Sequence, residues 1–143
     1  MSHPTPKEIL DRFYAAEAIF MAAPDATRDA TDMLSTLSPK IKVHQSPDLP
    51  WGGEWIGHEG FAAWGATVTS YFRSLEVLEP RVFEQADGDE VMVFSTLRLQ
   101  TKKGEVWEKP LTQIIKVDRD EGVIVQITPF YWDVQGLKKL LGV

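Results

Sequence analysis

Glu17 stands out among the residues that could do chemistry. With Phe13, Tyr14, Phe20 and Met21 around it, it falls near the middle of an apolar stripe at helical spacing. A carboxylate on such a face is costly to bury unless it is paired, protonated or set against a polar cavity. Glu17 therefore either bonds an arginine or a backbone amide and serves structure, or faces a pocket. In a pocket, desolvation would raise its pKa toward the range of a general acid or base. Tyr131 alternates with Ile127 and Pro129, which puts all three on one face of a strand. If that face is concave, its hydroxyl is a donor for a carbonyl or enolate oxygen; otherwise it is a core tyrosine. Asp133 precedes the terminal helical segment, where it either caps that helix or adds a further catalytic carboxylate.

Other polar side chains are weaker candidates. Glu108 shares parity with Pro110, Thr112 and Ile114, so Glu108 stands at a pocket mouth or is a solvated strand end, and Thr112 lies on the same face. Val93, Ser95, Leu97 and Leu99 also share a face, which is assigned to the pocket with Ser95 as its polar spot. Trp51 and Trp55 sit in a Gly/Pro segment, and Phe61 and Trp64 follow it. These rings either clamp a loop over the core or gate a planar, hydrophobic ligand. Of the histidines, His44 alternates outward, His58 opens a helix and His3 is in the tail. No spacing suggests a metal site, no Gly-x-Ser-x-Gly nucleophile motif occurs, and Gly52-Gly53 is no phosphate loop. The expected ligand is a small hydrophobic molecule, with neither cofactor nor metal.

The elements that must hold these residues are legible. Thr5, Pro6 and Glu8 form a Thr-x-x-Glu capping box with proline at the first helical position, and Pro24 ends the helix. A second helix is predicted over residues 25–37, with Ala26, Ala30, Met33, Leu34 and Leu37 as its stripe. Residues 41–45 alternate as a short strand ending at Gln45. Residues 46–57, with two prolines and three glycines, read as a loop. A third helix follows over 58–72. Strands are predicted over 75–86, 90–101, 105–117 and 123–131, separated by the turns Asp87-Gly88-Asp89, Lys102-Lys103-Gly104 and 118–122. Pro80 and Pro110 each remove a ladder donor and mark a bulge, a bend or an edge. A short helix over 134–142 closes the chain. Helices packed on one face of a curved sheet leave an apolar hollow.

At 143 residues this is one domain. Its 43% hydrophobic and 25% charged residues are ordinary for a globular chain. A net charge of −6 with scattered Lys and Arg argues against nucleic acid. The apolar runs are too short for a membrane span, and no secretory leader is visible, so the cytoplasm is the expected compartment. The absence of cysteine excludes disulfides and thiol catalysis.

The order of elements, with the stretch Gly52-Gly53-Glu54-Trp55-Ile56-Gly57-His58-Glu59-Gly60-Phe61 and the run from Ile127 to Leu141, resembles the nuclear transport factor 2-like superfamily. Within it the chain is most similar to the SnoaL-like, ketosteroid-isomerase-like group. The resemblance covers nearly the whole chain. It implies an α+β fold: a cone-shaped, curved mixed sheet wrapped around three helices from the N-terminal half, with a short C-terminal helix. It also implies a homodimer paired through the outer sheet face. The group includes isomerases, polyketide cyclases, dehydratases, epoxide hydrolases and binding modules. The steroid-isomerase pattern falls here on Phe13 (Tyr14 adjacent), Gln45 and a position near Thr112, and Gln45 cannot take a proton. The epoxide-hydrolase pattern finds Arg98 and Gln100 but no Asp partner. The cyclase pattern leaves Asp133. The resemblance thus implies an acid/base isomerase, cyclase or dehydratase on a hydrophobic carbonyl compound, or a non-catalytic module that binds a ligand or a partner chain.

Overall fold

The computed structural model describes residues 3–86 and 88–143. Helix α1 (Pro6–Ala22) starts as its sequence predicts. Thr5 Oγ1 accepts from the Glu8 amide at 3.1 Å, and Glu8 Oε1 accepts from the Thr5 amide at 3.1 Å. Two amides that the first turn would leave unpaired are thereby satisfied. The buried face carries Ile9, Leu10, Phe13, Tyr14, Glu17, Phe20 and Met21.

The second helix is shorter than predicted, reaching only from Thr31 to Ser35 (α2). Arg28 explains the loss. Its guanidinium donates to the carbonyls of Phe20 at 3.0 Å and Ala23 at 2.6 Å and to Asp25 Oδ1 at 2.6 Å. The carbonyls that α1 leaves open are thus closed from residue 28, and the intervening chain turns back instead of coiling. Asp29 Oδ1 then accepts from both the amide and the hydroxyl of Thr31, a local bond that competes with helix.

Strand β1 (Leu37–Gln45) begins earlier than residue 41. Within the segment read as loop, Gly53–Ile56 forms a short strand, β2, paired antiparallel with β1. Helix α3 (Gly57–Tyr71) and strands β3 (Phe72–Glu84), β4 (Glu90–Thr101), β5 (Val106–Asp118) and β6 (Val123–Tyr131) follow, then α4 (Val134–Leu141). Asp87, expected in the turn before β4, lies outside the described residues.

The six strands make one sheet in the order β2-β1-β6-β5-β4-β3, with β1 and β6 parallel and the other neighbours antiparallel. Pro80 sits where the β3–β4 register shifts between Leu78 and Arg81, and Glu79 there has φ 50°. This bulge bends a long strand. Pro110 lies just outside the β5–β6 ladder, whose first β5 residue is Leu111. Helix α1 lies against β3 and α3 against β1, so both helices cover the concave face.

The inward face of β4 is the expected one: Val93, Leu97 and Leu99 are buried. On β5 the parity is reversed. Leu111, Gln113, Ile115 and Val117 are buried, and Glu108, Pro110, Thr112 and Ile114 face the other side of the sheet. Both faces of β5 carry apolar residues, so alternation alone did not choose between them. The ladder did, by pairing Val93 with Gln113 and Ser95 with Leu111. Among the described residues no helix is long and apolar enough to cross a membrane.

Candidate functional site

The space between α1, α3 and the concave sheet is a cavity. Phe13 and Glu17 line it from α1, and Phe61 and Trp64 from α3. Val43 and Gln45 come from β1, Leu75 and Val77 from β3, and Leu97 from β4. Leu111 and Gln113 of β5, with Ile127, Pro129 and Tyr131 of β6, complete it. Five strands meeting in one lining is what a curled sheet produces. The cavity volume is about 30 Å³. One water needs about 10–15 Å³, so the cavity has room for about two or three waters with its side chains as they stand.

Glu17 is 5% exposed. Among the described residues its carboxyl has neither a hydrogen-bond partner nor a cationic one within salt-bridge distance. Burial pushes its pKa from 4.5 up to about 8, with no charged neighbour contributing. Loss of hydration penalises the carboxylate, so near neutral pH the group holds its proton and remains able to release it.

Hydrogen-bond donors line this cavity or back its lining. The Tyr14 hydroxyl, just behind the lining, donates to Gln113 Oε1 at 2.5 Å. That bond fixes the amide and leaves its NH2 as the remaining donor. The Trp51 indole donates to the Tyr131 hydroxyl oxygen at 3.3 Å, so the Tyr131 proton is left for another acceptor. Burial, with Glu17 adding, pushes the ionisation of both tyrosines up and keeps the hydroxyls protonated. Trp64 Nε1 and Gln45 Oε1 are buried, and neither has a partner among the described residues.

Trp51 is fully buried and packs against Tyr71, Phe72 and Tyr131. Trp55 donates to the Trp51 carbonyl at 3.1 Å. The Gly/Pro segment is thus clamped, and Trp51 acts on the cavity through Tyr131 instead of gating it. Gly52 makes the clamp possible, because a Cβ there would lie 2.3 Å from the Ser46 carbonyl oxygen.

Several predicted site residues lie elsewhere. Phe20 packs under Arg28, whose guanidinium stands 5.6 Å from its ring centre. Ser95 Oγ donates to the Leu111 carbonyl at 3.3 Å and is not part of the lining. Glu108 is exposed and Thr112 is on the outer face, both through the reversed parity of β5. Asp133 is exposed and caps α4, its Oδ1 accepting from the Gly136 amide at 3.0 Å. His44 faces outward beside Glu54 at 3.8 Å, and His58 Nε2 bonds the Leu37 carbonyl at 2.8 Å. Gln113 was missed for the same reason that Thr112 was chosen; only the β4–β5 register could have found it. Among the described residues no cluster of three or more His, Asp or Glu could hold a metal ion.

No family model matches the sequence, and no curated protein matches it. Solved structures do. TerC, co-crystallised with polyporic acid, superposes with a TM-score of 0.75 at 20% identity over 96% of this chain and 98% of its own. An NTF2-like protein of unknown function from Burkholderia pseudomallei gives 0.74 at 17% identity over 96% and 97%. A protein of Pseudomonas putida proposed to be a polyketide cyclase gives 0.68 at 21% identity over 91% and 93%. The chain has the nuclear transport factor 2-like fold. Identities this low establish the fold alone.

Proposed function

We propose that the cavity performs cofactor-free proton transfer on a small hydrophobic carbonyl compound, of the isomerase, cyclase or dehydratase type. The observation that carries this reading is the unpaired carboxyl of Glu17 buried in an otherwise largely apolar hollow. Glu17 is the proton carrier: its pKa of about 8 suits exchange near neutral pH. Tyr131 donates to the carbonyl oxygen, where negative charge gathers as the adjacent carbon loses a proton. A ligand larger than a few atoms enters only if lining side chains shift, so small substrates are favoured.

The test is hydrogen–deuterium exchange. Acetophenone in D2O, followed by NMR, should lose its methyl protons faster with the protein than with buffer. Glu17→Gln should lower the protein-dependent rate by roughly a hundredfold or more. Equal rates for the two proteins remove the proposal. The second reading is a non-catalytic module of the same fold. It is favoured by Gln45 at the end of β1, a residue that cannot exchange a proton. In that case Glu17→Gln binds ligand as well as the parent and neither protein exchanges protons.

We also infer a homodimer paired through the outer sheet face. Two cross-strand rows support it: Phe83, Met92, Ile114 and Thr128, and beside them Phe94, Thr112 and Phe130. Phe83, Met92, Phe94 and Phe130 are 39–53% exposed. Large exposed apolar side chains grouped on one sheet face form a candidate interaction surface.

A further inference from the structure

Trp64 Nε1 and Gln45 Oε1 are the two side-chain atoms among the described residues that are buried without a partner, and both belong to side chains lining the Glu17 cavity. Trp64 is 4% exposed and Gln45 6%. A buried polar atom with no partner is costly, and most folds avoid it. Two of them in one cavity lining, which also holds a carboxyl with none, call for a common explanation. The indole N–H can only donate, so it requires an acceptor. The Gln45 oxygen can only accept, so it requires a donor.

We infer that Trp64 and Gln45 are specificity-determining residues that select a neutral ligand carrying both a carbonyl and a hydroxyl oxygen. The inference rests on the Glu17 cavity being the ligand site. One lone pair of the carbonyl oxygen accepts from Trp64 Nε1 and the other from Tyr131, and the hydroxyl donates to Gln45 Oε1. Were the Gln45 amide turned end for end, the same hydroxyl oxygen would accept from its NH2. Other classes fit less well. An anion finds no Lys, Arg or His among the lining residues. An ammonium ion could pair with Glu17 but offers Trp64, Gln113 and Tyr131 no acceptor. A hydrocarbon leaves both orphaned atoms unpaired.

The experiment uses probes of one ring size: toluene, acetophenone, 4-hydroxyacetophenone, benzoate and benzylammonium. Binding is measured by calorimetry at pH 6 with the parent, Trp64→Phe and Gln45→Leu. With the parent, 4-hydroxyacetophenone should bind about tenfold or more tighter than toluene, with acetophenone between them. Trp64→Phe should cut the advantage of both ketones over toluene, each measured on that same variant, by about threefold or more, with the Tyr131 donor to the carbonyl remaining. Gln45→Leu should remove only the advantage of the hydroxylated probe over acetophenone. The inference is overturned if toluene, benzoate or benzylammonium binds tightest. It is equally overturned if the ketones keep their advantage in Trp64→Phe, or if no probe binds at millimolar concentration. Because binding is read without turnover, a protein that binds the hydroxyketone but exchanges no proton keeps this inference and loses the catalytic reading.

Discussion

Replacing Glu17 by Gln should remove the pH dependence that this one residue imposes on stability. The folded chain holds the Glu17 proton up to about pH 8, and the unfolded chain releases it near 4.5. Between those values the folded state binds more protons, so unfolding becomes easier as the pH rises. The contribution of the buried neutral acid is therefore complete below about pH 4.5 and lost as the pH climbs to about 8. At about 1.4 kcal/mol per pH unit, the loss is roughly 3 kcal/mol at pH 7 and roughly 5 in full. Glutamine has nearly the same shape and does not titrate, so it adds only an offset that pH does not change. Urea or thermal denaturation of both proteins from pH 4 to 9 reads the difference. Relative to the parent, Glu17→Gln should gain roughly 3 kcal/mol between pH 4 and 7. At roughly 3 °C per kcal/mol, that is about 10 °C in relative melting temperature. Parallel curves would refute the reasoning, because they would mean that Glu17 titrates as in water. A gap that moves the other way would mean that the carboxylate has found a cation.

Two further outcomes are expected. Asp133→Ala should lose the α4 cap and about 1 kcal/mol of stability by thermal denaturation, while acetophenone binding and proton exchange hold within twofold or so; a large loss of exchange at unchanged melting temperature would return Asp133 to the chemistry. On the outer sheet face, sedimentation at micromolar concentration should give twice the 16.1 kDa chain mass for the parent and the single mass for Phe94→Glu combined with Phe130→Glu. A parent that sediments as a single chain removes the dimer.

The limits of the second helix and the missed strand share one cause: local pattern yields to distant or side-chain bonding. Residues 25–37 carry a helical stripe, yet the Arg28 guanidinium takes the carbonyls of Phe20 and Ala23 and turns the chain first. Residues 53–56 sit among the glycines and prolines of residues 46–57, which read locally as loop, but β1 offers them an edge to pair with. Asp133 was legible both as cap and as catalyst, and the Gly136 amide takes it as a cap.

The sequence alone determined the order of helices and strands apart from β2, the capping box of α1, the apolar stripe and the anomaly of Glu17 within it. These depend on periodicity and near-neighbour chemistry, which a linear chain displays. Only the tertiary structure decided which face of β5 is inside, and therefore that Gln113 and not Thr112 meets the cavity. Register is a relation between strands, and when both faces of a strand carry apolar residues the choice belongs to the partner. The same holds for the orphaned atoms of Trp64 and Gln45: whether a buried polar group has a partner depends on what the rest of the fold brings within reach.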